Sequence, residues 1–219
     1  MSRRGRRPIL LRLYRLYLDN QDIGRYSRRV AARYSQGTLE RLSEHPLPQV
    51  RRAAVLALGL LADYGANHAM GLALVDEDRT VRAIAQRGIR NVWARDGNPD
   101  QQERLKQIME LNAAKQYDEA IRQATALIDD APWLAEAWNQ RAVARFGLKQ
   151  YAEAVRDCHQ TLEINPYHFP AASGMGHAYV RLNNPLAALE AFRRALRLNP
   201  DLDSARAAIQ RLSRTIGDP

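Results

Sequence analysis

A repeat of 34 residues runs through the second half of the chain and constrains its fold more than any other feature. Pro132, Pro166 and Pro200 keep this spacing. Ala120, Ala154 and Ala188 keep it too, and Lys115-Gln116-Tyr117 is echoed by Lys149-Gln150-Tyr151. A fixed period of this length is typical of an array of stacked helical units rather than of one globular core.

Each repeat is predicted to be a pair of antiparallel helices. Small residues such as Ala142 and Gly176 let the two helices approach closely, and large ones such as Phe192 fill the space toward the next unit. Asparagine followed by proline, at Pro166 and Pro200, ends the second helix of a pair. The pattern predicts units at 101–134, 135–168 and 169–202, followed by a capping helix at 203–216 with one polar side.

The third of these units resembles the tetratricopeptide repeat most closely. Met175, Gly176 and Tyr179 occupy the pattern of the first helix, and Ala188 and Phe192 that of the second. The second unit matches at Trp138, Ala142, Ala154 and Pro166, and departs from the family at Arg141, Arg145, Cys158 and Thr161. The resemblance covers residues 101–200. We interpret Cys158, which stands where Phe192 stands in the next unit, as a small core residue.

The resemblance implies a concave groove, lined by the first helix of each unit, that binds extended peptides. The implied lining residues are Leu105, Met109, Asn112, Asn139, Val143, Phe146, Ser173, His177 and Val180. The alternative is that some of them contact the terminal helix or the N-terminal part, because the ends of an array need covering. One branch of the family binds chaperone tails through a clamp of lysine, arginine and asparagine. Leu105, Met109 and Gly174 stand at clamp positions here, which argues against that specific function.

A second, shorter repeat precedes the first. Val50-Arg51 and Val81-Arg82 lie 31 residues apart and are followed by small or apolar residues at identical offsets. Residues 72–82 resemble the compact HEAT repeat. We interpret Asp76, Asp78 and Arg82 as structural, because a carboxylate can cap a helix start and the arginine can bond to the neighbouring turn. The predicted domains are a basic N-terminal segment (1–37), two HEAT-like units (38–97) and the 34-residue array (98–219), with the boundary at Gly97.

Positive charge is concentrated in the first 37 residues, which hold ten arginines and two aspartates. The arginines are Arg3, Arg4, Arg6, Arg7, Arg12, Arg15, Arg25, Arg28, Arg29 and Arg33. Two helices are predicted here, and two interpretations stay open. The helices cap the first repeat and their arginines are a solvated outer face. Alternatively, the arginines bind nucleic acid or an anionic membrane surface, with tyrosines stacking on bases.

Nothing in the sequence indicates catalysis. The five histidines have no metal-ligand spacing, and phosphate-binding, dinucleotide-binding and nucleophile-elbow glycine patterns are absent, so we expect no catalytic residue, metal or cofactor. The single cysteine and the lack of a long apolar run favour a protein of the reducing cytoplasm.

The predicted fold is therefore all-α. It is an α-solenoid of antiparallel helix pairs, in which two HEAT-like units are followed by three tetratricopeptide units and a capping helix. The predicted function is that of a non-enzymatic scaffold or adaptor that binds a protein or peptide in the groove. The alternative function is binding of a polyanion through the N-terminal arginines.

Overall fold

The computed structural model describes residues 8–217, with the side chain of Ile216 excepted, and this part of the chain is all-α. Contacts divide the chain between Val92 and Trp93 into two compact units, a few residues before the predicted boundary at Gly97. The helices of the first part are α1 (Ile9–Asn20), α2 (Ile23–Ala31), α3 (Gln36–Ser43), α4 (Pro48–Leu61), α5 (Asn67–Ala73) and α6 (Arg79–Trp93), with a 3-10 turn at Tyr64–Ala66.

The two N-terminal helices both pack against α4. The Tyr26 hydroxyl donates a hydrogen bond of 2.6 Å to the carbonyl of Ala53 on that helix. The backbone N–H of Leu10 on α1 donates to the hydroxyl of the half-buried Tyr34 at 2.8 Å, so tyrosine hydroxyls help to tie this segment into the N-terminal unit.

The 31-residue repeat is visible as a repeated side-chain contact. Arg51 donates to the carbonyls of His45 and Pro46. Arg82, one period later, donates to the carbonyls of Asp76 and Glu77. Each arginine therefore holds the turn that precedes its own helix.

The acidic turn before α6 has the structural role that the sequence indicates. Asp78 accepts a hydrogen bond from the backbone N–H of Val81 at 3.0 Å and so caps the start of α6. Asp76 accepts two hydrogen bonds from Arg51, at 2.8 and 2.9 Å, which link the first copy of the repeat to the second. Because Arg51 is buried, these bonds also satisfy a guanidinium that has little access to water.

The C-terminal unit contains the predicted helix pairs. Its helices are α7 (Pro99–Ala113), α8 (Tyr117–Asp130), α9 (Ala135–Gly147), α10 (Tyr151–Ile164), α11 (Phe169–Arg181), α12 (Pro185–Leu198) and α13 (Asp203–Ile216). Each helix packs against the next in sequence, and the first helices α7, α9 and α11 also pack against one another. This is the solenoid-like packing predicted from the 34-residue period.

The turn inside each helix pair has the same backbone conformation. Lys115, Lys149 and Asn183 lie one period apart and all have a positive φ, between 54° and 63°. In each turn this residue donates its N–H to the carbonyl three residues back, and the next residue donates to the carbonyl five residues back. The left-handed residue therefore closes the first helix and reverses the chain in every unit.

Two of the second-unit residues that depart from the family, Arg141 and Arg145, form an ionic cluster around the buried Asp157. Arg141 donates two hydrogen bonds to the Asp157 carboxylate, at 2.9 and 3.0 Å, and Arg145 adds a third at 2.8 Å. The guanidinium of Arg141 also lies 4.8 Å from the centre of the Trp138 ring. The cluster joins α9 to α10 where the family has apolar residues.

Two further sequence interpretations of the repeat are confirmed by packing. Cys158 is buried, and burial raises the pKa of its thiol to about 12, which keeps it protonated and unreactive. Gly176 lies against Phe192, and a Cβ atom added to this glycine would come within 2.8 Å of the ring. A glycine at this position is therefore required by the close approach of α11 and α12.

Candidate functional site

The nine predicted groove residues form three rows whose members are separated by one repeat. The first row is Leu105, Asn139 and Ser173; the second is Met109, Val143 and His177; the third is Asn112, Phe146 and Val180. All nine lie on α7, α9 and α11, which pack side by side. Equivalent positions therefore recur along neighbouring helices of the C-terminal unit.

Four of these residues form an exposed apolar strip. Met109, Val143, Phe146 and Val180 leave between 37 and 45 % of their surfaces open to solvent. Met109 and Val143 are equivalent on α7 and α9, and Phe146 and Val180 are equivalent on α9 and α11, so the four form a surface that a partner can cover. We call these four residues the apolar strip.

Leu105 does not belong to an exposed lining. It is 1 % exposed and packs with Ile108, Ala120 and Leu127 in the core between α7 and α8. The prediction that its side chain lines the groove is therefore wrong. The reason is that the first helix of this unit has few apolar residues, so Leu105 is used to hold it to its neighbours.

The two groove asparagines are buried and already hydrogen-bonded. The amide of Asn112 donates to the carbonyl and the side-chain oxygen of Gln140, at 3.0 and 2.9 Å. The amide of Asn139 donates to Glu136 at 2.9 Å. These bonds fix α7 and α9, so the two amides are not free donors for a peptide backbone.

Ser173 and His177 extend the rows onto α11. Ser173 is half-buried, and His177 is exposed on one side while its ring meets Phe192 edge-to-face at 4.9 Å. Partial burial, together with the nearby Arg211 guanidinium, lowers the pKa of His177. At neutral pH its imidazole is therefore uncharged, with one nitrogen able to donate and one to accept.

A buried polar network lies at the N-terminal ends of α9 and α11. Glu136 accepts hydrogen bonds from His168 (2.9 Å), Gln140 (2.7 Å) and Asn139. His168 Nδ1 in turn accepts a bond from the backbone N–H of Ala171, so the proton lies on Nε2 and the imidazole is neutral. Burial alone would raise the pKa of the Glu136 carboxyl, but the bond from His168 and the two amides hold it below its usual value.

Trp93 closes this end of the C-terminal unit. Its ring stacks on His168 with 4.3 Å between ring centres, and lies 5.9 Å from the ring of Phe169. Trp93 is 2 % exposed. A residue that precedes α7 in the chain therefore covers one end of the first helices and leaves the apolar strip as the open part.

Sequence reasoning missed both Glu136 and Trp93. A glutamate in the first turn of a helix is ordinary, because it complements the helix dipole, and gives no sign of burial. Trp93 and His168 are far apart in the sequence, so no local pattern pairs them. The one signal in the sequence was the position of Trp93, a large aromatic residue shortly before the break in the helical pattern at Gly97 and Pro99.

The arginines of the second predicted site lie on the outside of the N-terminal unit. Arg12, Arg15, Arg25, Arg28 and Arg33 are exposed and Arg29 is half-buried. Arg3, Arg4, Arg6 and Arg7 lie outside the described residues. The tyrosines are arranged differently from the sequence-based interpretation: Tyr14 and Tyr26 are buried and pack edge-to-face, so they cannot stack on bases.

Residues 8–217 offer neither a metal site nor a membrane-spanning helix. No cluster of three or more histidine, cysteine or carboxylate side chains there has the geometry of a metal site. Within the same part of the chain, no helix is long and apolar enough to cross a membrane.

Comparison with protein families confirms the tetratricopeptide repeats. Residues 135–168 and 170–202 match models of the tetratricopeptide repeat. The HEAT-like character of residues 38–97 stays a prediction, and so do the limits of the domains.

Among similar curated proteins are two that are named for this repeat. Small glutamine-rich tetratricopeptide repeat-containing protein 2 of Saccharomyces cerevisiae is 35 % identical over 89 residues, which are 41 % of this chain and 26 % of the yeast protein. A TPR repeat-containing protein of Rhizobium etli is 31 % identical over 113 residues, or 47 % of this chain and 55 % of that protein. Sperm-associated antigen 1 of Rattus norvegicus is 30 % identical over 100 residues, 46 % of this chain and 11 % of the rat protein. The chain thus spans about half or less of these relatives.

Two similar solved structures are single tetratricopeptide domains. The first TPR domain of Spaghetti (RPAP3), bound to the HSP90 peptide SRMEEVD, has a TM-score of 0.52 and 26 % identity, covering 53 % of this chain and 93 % of that one. The first TPR domain of human RPAP3 has a TM-score of 0.50 and 27 % identity, covering 52 % and 90 %.

Proposed function

We propose that this chain is a non-enzymatic adaptor whose C-terminal unit binds an extended segment of a partner protein along the apolar strip. The observation that carries the proposal is the exposure of Met109, Val143, Phe146 and Val180 at repeat-related positions on three adjacent helices. Burial of apolar surface is the main favourable term in most protein association. The similarity to a TPR domain bound to an HSP90 peptide supports a peptide as the partner class.

The chemistry of the strip favours an apolar peptide over an acidic tail. Leu105 is in the core and Met109 is an apolar side chain of the strip, so neither offers a cation to a carboxylate. Glu136, in the first turn of α9, is itself negative and held by three donors. We expect the partner to present large apolar side chains, with backbone groups that meet His177 and Ser173.

Selection of displayed random peptides for binding to the immobilised full chain tests this proposal. The selected peptides should be rich in apolar side chains, and Met109→Glu/Phe146→Glu should weaken their binding at least about tenfold, or about 1.4 kcal/mol. The matched control is Leu186→Glu/Ala152→Glu, which places the same charges on exposed positions of α12 and α10, the second helices. Both variants should keep the helical circular dichroism of the wild type.

The outcome that contradicts the proposal is undiminished binding by a folded Met109→Glu/Phe146→Glu protein. A labelled SRMEEVD peptide separates the two partner chemistries in the same assay. We expect no saturable anisotropy change with it. Tight binding of SRMEEVD would show that an acidic tail is recognised and would overturn the apolar assignment.

A further inference from the structure

We infer that the outer surface of α1 and α2 is a docking face for an anionic lipid surface. We call it the basic face and define it by Ile9, Arg12, Leu16, Ile23 and Arg25, together with the neighbouring Arg15, Arg28, Arg29 and Arg33. Its function is independent of the groove in the C-terminal unit.

The first argument is unbalanced charge. Among residues 8–217, no carboxylate lies within ion-pair distance of the six arginines of this face. Asp22 accepts the backbone N–H of Arg25, and Asp19 is exposed, so these two carboxylates leave a net positive face. The same unit pairs other arginines closely, as Arg51 with Asp76 shows. Unpaired cations on a surface attract an anionic partner through the summed field.

The second argument is exposed aliphatic surface among these cations. Ile9, Leu16 and Ile23 are between 41 and 50 % exposed. Ile9, Arg12 and Leu16 follow the three- and four-residue spacing that places side chains on one side of a helix. Leu16 also lines a cleft between α1 and α2 with Arg25 and Arg29, so apolar and cationic groups meet at one place.

The third argument decides between a lipid and a nucleic acid. Recognition of single-stranded nucleic acid relies on exposed aromatic rings, and the rings available here are used internally. Tyr14 and Tyr26 are buried. Tyr17 is half-buried and its ring packs on both of them, with 6.2 and 5.5 Å between ring centres. Tyr34 is half-buried too, and its hydroxyl accepts the backbone N–H of Leu10. Isoleucine and leucine side chains have no partner on a phosphate backbone, but they can enter the acyl region of a bilayer while arginine remains at the headgroups.

Vesicle co-sedimentation of the full chain tests this inference. At low salt we expect binding to vesicles that contain phosphatidylglycerol in phosphatidylcholine, and little binding to phosphatidylcholine alone. Arg12→Gln/Arg25→Gln should reduce the partition coefficient roughly tenfold or more, because each arginine near an anionic surface contributes on the order of a fivefold gain. This loss should shrink at high salt, where the attraction is screened.

Two further double variants test whether vesicle binding depends on the basic face itself or only on the net positive charge of the chain. Arg194→Gln/Arg197→Gln removes the same charge from two arginines of α12 that have no ion pair within residues 8–217, and should leave the partition coefficient unchanged within about twofold. Ile9→Ser/Leu16→Ser should reduce binding several-fold at both low and high salt, because the apolar contribution is not screened.

Three results overturn the inference. One is no binding to anionic vesicles at low salt, and another is an equal loss from the α12 variant. The third is binding to duplex or single-stranded DNA that exceeds vesicle binding and is unaffected by Ile9→Ser/Leu16→Ser, which would identify a nucleic-acid face instead. Circular dichroism of each variant excludes unfolding as the cause.

Discussion

Asp78 combines two roles in one carboxylate. It caps α6 through the backbone N–H of Val81 and accepts two hydrogen bonds from the guanidinium of Arg52. The bonds from Arg52 lower the pKa of Asp78 from 3.8 to about 2, although partial burial opposes them. Because the pKa is lower in the folded chain, the unfolded chain binds more protons between these two values.

This carboxylate predicts a pH dependence of stability. The contribution of Asp78 is complete above about pH 5 and is lost as the pH falls through about 2. Asp78→Asn should lower the free energy of unfolding by about 1–2 kcal/mol at pH 7, and this difference should shrink toward pH 2. Asparagine is a good helix cap, so the variant removes the charge and keeps the cap.

Urea unfolding of both proteins between pH 2 and 7 measures this difference. Asp129→Asn, at an exposed carboxylate without an ion pair among the described residues, is the control and should show no such pH-dependent difference. A difference for Asp78→Asn that is constant over the whole pH range would contradict the assignment to Arg52.

At the scale of the element, the second helix pair is held by charge where its neighbours are held by apolar contacts. Asp157 is 2 % exposed and is the acceptor for both Arg141 and Arg145. Removing one partner of a buried ionic cluster leaves uncompensated charge, whereas replacing the whole cluster by apolar residues is often neutral.

Asp157→Asn should therefore destabilise the C-terminal unit by about 3–5 kcal/mol. The combined variant Arg141→Leu/Arg145→Tyr/Asp157→Ala, which restores the residues typical of the family at two positions, should recover most of that loss. Denaturant unfolding followed by circular dichroism measures both. The exposed pair of Glu119 with Arg122 supplies the control, since Glu119→Gln should leave the unfolding midpoint in place. Equal midpoints for Asp157→Asn and wild type would refute a structural role of the cluster.

The same elements show how far sequence reasoning reaches. The helix pairs and the capping helix were predictable because each period repeats small residues, turn residues and prolines at fixed offsets. The rows of the groove follow from the same period. The period cannot show which of the groove positions are buried. Leu105 and Met109 both occupy predicted groove positions on α7, but only Met109 is exposed.

Long-range pairs were out of reach for a related reason. Arg141 at a position that is apolar in the family indicates a buried acceptor, but several carboxylates are candidates, and only the fold selects Asp157. The tyrosines of α1 and α2 were also ambiguous, because tyrosine has both a ring that packs and a hydroxyl that needs a partner. Their burial is a property of the packing against α4.

At the scale of the whole molecule, Trp93 lies where the chain passes from one compact unit to the other. It is the first residue of the C-terminal unit and stacks on His168. Trp93→Ala should cost about 3–5 kcal/mol of stability, the usual range for deleting a buried tryptophan side chain.

Trp133 is the matched control, because it belongs to the same unit but is 56 % exposed. Trp133→Ala should change the free energy of unfolding by less than about 0.5 kcal/mol. Chemical denaturation of the two variants, followed by far-ultraviolet circular dichroism, compares them directly. Similar midpoints would mean that the stack on His168 is not part of the cooperative structure.

The turns at Lys115, Lys149 and Asn183 have the same left-handed conformation, so the number of helix pairs can change without a new type of turn. The left-handed backbone conformation defines the turn, and both lysine and asparagine adopt it. The side chain at this position can therefore change while the geometry between one helix pair and the next stays constant. A gene duplication that inserts one more period therefore meets junctions already suited to it. Such a lineage lengthens its binding surface in whole steps, each adding three new positions for selection to vary.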